Sequence, residues 1–155
     1  MIIVCTTDQS IIQYAQSQGS GAALWGNVNV LAAANNLAAT VAQLQPNEPL
    51  CLCAHGNNSE IGDDDAQGWG WTYDQIAAIL AANVPAGFST ILIYACATNV
   101  ANYSAALAVE LENNQALNGL WCYGWNTPLA IGTAYPDPSN LANQVALQGS
   151  PVNFS

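Results

Sequence analysis

The stretch Leu50-Cys51-Leu52-Cys53-Ala54-His55-Gly56 decides the fold. Five apolar residues lead to the only histidine of the chain, and a glycine follows at once. A second run, Thr90-Ile91-Leu92-Ile93-Tyr94-Ala95-Cys96, has the same character and ends in a cysteine. Short apolar runs without alternation are what a strand buried on both faces requires. Between them, a polar loop and a helical pattern from about 72 to 83 give a strand–helix–strand unit. Such a crossover makes the two strands parallel, with a right-handed connection. Parallel strands end at one edge of the sheet, where open α/β sheets place their ligands. His55 and Cys96 are therefore expected side by side, a base next to a nucleophile.

The same alternation extends in both directions. Ile2-Ile3-Val4-Cys5 reads as a first strand, and Asp8-Gln9-Ser10 as a helix start with Ile11, Ile12 and Ala15 on its apolar face. Ala22–Val30 is ambiguous, although Asn27-Val28-Asn29-Val30 alternates as an edge strand would. Leu31, Ala34, Leu37, Val41 and Leu44 recur at helical spacing, and Pro46 and Pro49 end that helix. Residues 57–70 read as a polar loop. Thr72 with Gln75 forms a capping box for the next helix, whose buried face is Ile76, Ile79 and Leu80. A helix from about Tyr103 to Glu112, a strand at Gly119–Tyr123, a loop-rich segment from Trp125 to Pro138 and a last helix at Leu141–Leu147 complete the pattern. The expectation is a single α/β domain over residues 1–155, a doubly wound, mainly parallel sheet with helices on both faces.

Composition narrows the partners. The chain has 155 residues, no Lys and no Arg, ten Asp and Glu, and a formal net charge of −10. Nucleic acid is not expected as a partner, because phosphate contacts need Lys or Arg. An anionic membrane surface is not expected for the same reason. No apolar run reaches the length of a membrane span. The start lacks a basic n-region and reads as a strand, so a cytoplasmic location is expected, with export by a route other than a signal peptide left open. Of the five cysteines, Cys5, Cys51, Cys53 and Cys122 fall in strand-like runs and read as buried, reduced thiols. Cys51, Cys53 and His55 alternate onto one strand face, but their spacing matches no common structural zinc pattern, so no metal site is assigned. Asp63-Asp64-Asp65 reads as a solvated loop. Ca²⁺ is the lesser alternative there, since consecutive Asp lacks the alternation of a calcium-binding loop. No cofactor motif is present.

His55-Gly56 after one buried strand and Ala95-Cys96 after the next resemble the motifs of the caspase-like cysteine peptidases. That group includes caspases, gingipains, clostripain, legumain, separase and the CHAT-domain proteases. The similarity runs from Met1 to about Trp125. The caspase signature itself is not met: Tyr94 stands where Gln is required, and Ala97-Thr98 follow the cysteine. A compact bacterial-type relative fits better. The resemblance implies a His–Cys dyad that hydrolyses peptide bonds through an acyl-enzyme. Cys96 would be the nucleophile and His55 the proton carrier. The backbone N–H groups of Gly56 and Cys96 would form the oxyanion hole. The strand and loop after the cysteine helix, including Trp121, Tyr123 and Trp125, would help to form the pocket for the residue before the cut.

The charge bears on that pocket. A site selective for Asp needs a cation that this chain does not have. Asp63 and Asp65, with Asp64, Asp74 or Asp137, are carboxylates suited to a basic residue. The expected partner is a peptide or protein substrate. The alternative is a non-catalytic interaction or self-assembling domain on the same fold, with the two motifs incidental.

Overall fold

In the computed structural model, which describes residues 1–63 and 66–155, the two apolar runs lie side by side at the centre of one mixed eight-stranded sheet. They are β3 (Leu50–Gly56) and β6 (Thr90–Cys96), parallel and paired from Leu50↔Ile91 to His55↔Cys96. β1 (Ile2–Val4) pairs with β3 on one side, and β2 (Val28–Val30) forms the edge beyond it. β7 (Trp121–Trp125) pairs with β6 on the other side. These five strands are parallel, in the order β2-β1-β3-β6-β7, and β8 (Leu147–Pro151) closes the far edge antiparallel to β7.

Alternate side chains of these strands go to opposite faces, so each face needs its own cover. One face holds Leu50, Leu52, Ala54, Ile91 and Ile93 against α2 (Leu37–Val41), α3 (Tyr73–Asn83) and α4 (Val100–Asn113). The other holds Cys51, Cys53, Leu92 and Tyr94 against α1 (Gln9–Gln16) and the 3₁₀ turns at Ala22–Trp25 and Pro138–Asn143. The fold is thus doubly wound, as expected. α4 lies directly on β7: a Cβ at Gly124 would come within 2.3 Å of Ser104 Oγ and 2.8 Å of the Val100 carbonyl oxygen. Only glycine admits that approach. The box at Thr72 is present, with the Thr72 N–H donating to Gln75 Oε1 at 3.0 Å. Among the described residues no helix is long and apolar enough to cross a membrane.

Three expectations are corrected. The helix read from Leu31 to Leu44 is only a 3₁₀ turn at Ala34–Asn36 followed by α2. Leu31 donates its N–H to the Val4 carbonyl and so continues the β2 pairing. Asn35 and Asn36, early in that span, are weak helix formers. The loop read at 57–70 contains β4 (Glu60–Gly62), and with β5 (Gly70–Thr72) it forms a hairpin attached to β3. Strands of three residues with glycines at their ends carry too little alternation to be seen. The last helix, read at 141–147, is a 3₁₀ segment begun by Pro138 and then β8, whose Gly149 and Pro151 give no strand signal. Pairing with β7 decides that segment.

Candidate functional site

The chain runs from β1 outward to β2 and then returns to β3, so the order of the sheet reverses between β1 and β3. Ligands of open α/β sheets bind outside the carboxyl ends of the strands at such a point. Asp8 stands just past the end of β1, His55 near the end of β3 and Cys96 at the end of β6.

His55 and Cys96 are register partners on neighbouring parallel strands, so both side chains leave the same face of the sheet. Their backbones are separated by the inter-strand spacing of about 4.8 Å. No hydrogen bond joins the two side chains. The His55 ring instead meets Asp8: Nε2–H donates to Oδ2 at 2.8 Å. A carboxylate on Nε2 fixes the proton there and leaves Nδ1 as the acceptor. Asp8 also caps α1, its Oδ1 accepting the Ser10 N–H at 2.7 Å. These bonds, that to His55 first, hold the Asp8 carboxyl below its ordinary value.

Cys96 is half-buried, and the other four cysteines are buried; all five are free thiols. Burial first, and the charge of Asp8 second, push the Cys96 thiol up to about 11. Burial pushes Cys53 and Cys122 up to about 12 each. Cys96 is therefore the thiol most open to reagents and the least raised of these three, and it is protonated at rest near neutral pH.

A cleft of about 690 Å³ opens at Cys96. Gly56, Asn57 and Asn58 line one side, and Ala97 and Thr98 follow the cysteine. Pro128 and Leu129 line the other side, and the Leu129 N–H donates to the Ala97 carbonyl at 3.1 Å. Gly56 leaves little room for a side chain: a Cβ would lie 3.0 Å from Ala95 Cβ and 3.2 Å from the Glu60 carbonyl oxygen, so a neighbour would have to give by a few tenths of an ångström. The loop behind Leu129 is fastened to the sheet. The Tyr94 hydroxyl donates to the Thr133 carbonyl, Tyr94 stacks on Tyr135 at 4.4 Å, and Trp25 Nε1–H donates to the Pro136 carbonyl at 2.9 Å.

The other sequence-chosen residues are spread more widely. Trp125 is buried edge-to-face on Tyr94, with ring centroids 5.2 Å apart, at the cleft end of β7. Tyr123 lies mid-strand and buried. Trp121, 44% exposed, pairs with Thr90 at the opposite end of β6 from Cys96. Six residues of strand separate it from that level, roughly 20 Å. Asp63 accepts hydrogen bonds from Thr6 and Thr7 beside Asp8. Asp65, like Asp64, lies outside the described residues. Asp74 stands in the first turn of α3. Asp137 caps the 3₁₀ segment beside a smaller cavity lined by Pro49, Thr90 and Pro138, at the amino edge of the sheet. Among the described residues no group of three or more His, Cys, Asp or Glu side chains is placed to hold a metal ion.

Sequence reasoning missed Asp8 and most of the cleft wall. Asp8 carried a usable signal, an acidic residue at the carboxyl edge of the strand next to β3. Pro128 and Leu129 carried none, because only tertiary folding brings their loop to Ala97. No family model, no curated protein and no solved structure matches this chain.

Proposed function

We propose that the chain is a caspase-like cysteine peptidase with Cys96 as nucleophile and His55 as proton carrier. One observation carries the reading: the only histidine and the only half-exposed cysteine leave adjacent parallel strands on one face, and the cysteine lines an open cleft together with Gly56, the residue after the histidine. Asp8 supports it by holding the imidazole with Nδ1 free.

The chemistry follows from these positions. The thiol is neutral at rest, so its proton must leave as the sulfur attacks the scissile carbonyl. His55 Nδ1 takes that proton, and Asp8 stabilises the imidazolium that results. The backbone N–H groups of Gly56 and Cys96 receive the oxyanion. The imidazolium then protonates the departing amine, the C–N bond breaks, and an acyl-enzyme remains. Water, deprotonated by Nδ1, attacks the thioester and releases the acid and the thiol. A preference for a basic residue before the cut rests on the field of a chain of net charge −10 and on Asp8. The described lining of the cleft itself offers amides, a hydroxyl and an apolar wall.

The test is a fluorogenic peptide panel with Arg, Lys, Asp, Asn, Leu or Ala before the cut, run on wild type, Cys96→Ala and His55→Ala. Both variants should lose cleavage with melting curves close to wild type. Full turnover by Cys96→Ala would remove the nucleophile assignment. Preference for Asp would reject the charge argument, and preference for Leu or Ala would make the Pro128–Leu129 wall the selector. A wild type that cleaves nothing in the panel, with Cys96 no faster to alkylate than the buried cysteines, would favour the non-catalytic interaction domain.

A further inference from the structure

We propose that Asp63 is a positioning residue for His55, acting across the sheet edge through Thr6 and Asp8; the inference rests on the peptidase reading above. The turn between β1 and α1 carries Asp8, and Thr7 within it is exposed. Polar contacts hold this turn. The Thr6 hydroxyl donates to Asp63 Oδ2 at 3.1 Å, the Thr7 N–H donates to the same oxygen at 2.6 Å, and the Thr7 hydroxyl donates to it as well. Three donors of one turn thus converge on one carboxylate oxygen, and bonds to an ionised acceptor are the stronger kind.

The path continues to the imidazole. Thr6 Oγ1 accepts the Asp8 N–H at 3.1 Å, which places the Asp8 backbone. Asp8 then divides its carboxylate, Oδ1 on the first turn of α1 and Oδ2 on His55. Asp63 is itself placed by the hairpin attached to the histidine strand. It follows Gly62, the register partner of His55, and its N–H donates to the Trp69 carbonyl at 2.7 Å. The hairpin therefore holds His55 directly, through the strand pairing, and a second time through Asp63, Thr6 and Asp8. Without the Asp63 carboxylate the turn loses three bonds and Asp8 no longer has a fixed approach to Nε2. The His55 ring then loses the partner that fixes its Nε2 proton and its orientation.

The experiment uses the full chain as wild type, Asp63→Ala, Asp63→Asn, Thr6→Val, Asp8→Ala and the Asp63→Ala/Asp8→Ala double variant. Asp63→Ala should lower kcat about tenfold or more with KM within about twofold, since misplacing a reacting group costs rate more than binding. Asp63→Asn keeps an oxygen for the same donors and should recover most of the rate. Thr6→Val should move kcat in the same direction as Asp63→Ala and carries the test if that variant fails to fold. In the Asp8→Ala background, Asp63→Ala should add nothing, because both act through one path.

A second readout needs no turnover. The chain has one histidine, so ¹⁵N NMR of its imidazole, recorded in the Cys96→Ala background, reports the tautomer without ambiguity. Asp63→Ala should convert the Nε2–H form into a mixture. An unchanged kcat, a rate loss that adds to that of Asp8→Ala, or an imidazole that stays Nε2–H would overturn the proposal. Failure of the peptidase reading would show instead as an inactive wild type, while the imidazole spectra would still decide the role of Asp63.

Discussion

On the proposed peptidase reading the Cys96 sulfur gives up its proton as it attacks, and its surroundings oppose that loss. Burial and the charge of Asp8 both disfavour the thiolate. The same carboxylate favours the imidazolium that forms once the proton has moved. On that reading Asp8 works against ionisation of the resting thiol and for the charge-separated state of the proposed reaction. Two effects of opposite sign follow for Asp8→Asn. Alkylation of Cys96 by iodoacetamide at pH 8 should become faster, because the thiol is lowered when the charge goes. Peptide turnover should fall, on the order of 10²-fold, because the amide has one acceptor oxygen for both the Ser10 N–H and the ring, and its NH2 against Nε2 favours the other tautomer. In wild type, alkylation should rise about tenfold per pH unit from neutral pH toward a midpoint near 11. A plateau below pH 8 would show a thiolate already formed at rest. The Asp8 carboxyl is lowered from 3.8 in the folded chain. Its contribution to stability is therefore complete above the ordinary carboxylate range and lost only as pH falls through the lowered value.

At the scale of elements, the site depends on β3 and β6 keeping their register. A slip of one residue would send His55 to the opposite face, away from Cys96. That register is held by side chains buried on both faces, such as Leu52, which is 1% exposed on the α3–α4 side, and Tyr94 on the other. Leu52→Ala should cost about 2–5 kcal/mol, the range for truncating a buried leucine. Because Leu52 points away from the cleft, turnover per folded molecule should stay near that of wild type. Urea unfolding monitored by tryptophan fluorescence, with active-site titration in parallel, separates the two quantities. A large drop in turnover per titrated site would mean that the strand pair shifts instead of losing packing alone.

Over the whole molecule, ten carboxylates repel one another with no Lys or Arg to offset them. Among the described residues the ion pairs are Asp8–His55, charged when the ring is protonated, and the Met1 ammonium with Glu48 at 3.1 Å. The fold is held by burial and hydrogen bonding, and its long-range electrostatics are net unfavourable. Raising NaCl from about 10 mM to about 0.5 M at pH 7 should therefore raise the melting temperature by a few degrees, because the Debye length falls from about 30 Å to a few ångströms. A falling melting temperature would show that attractive pairs outweigh the repulsion.

The apolar runs at 50–56 and 90–96 contained the two-faced strands, their parallel pairing and the placement of His55 beside Cys96. Those features depend on local bulk and on the length of the crossover, and both are written in consecutive residues. The capping box at Thr72 and the start of α1 at Asp8 were legible for the same reason. What tertiary structure alone decided depends on partners distant in sequence. β8 exists because Leu147–Pro151 finds β7, although its Gly and Pro argue against a strand. The hairpin of β4 and β5 exists because Ile61 and Trp71 find a core to cover. Asp8 meets His55 only because β1 is inserted beside β3, and Leu129 walls the cleft only because its loop is bound to Ala97. Periodicity and propensity report what a segment does with its own neighbours, whereas a site at a sheet edge is assembled from segments tens of residues apart.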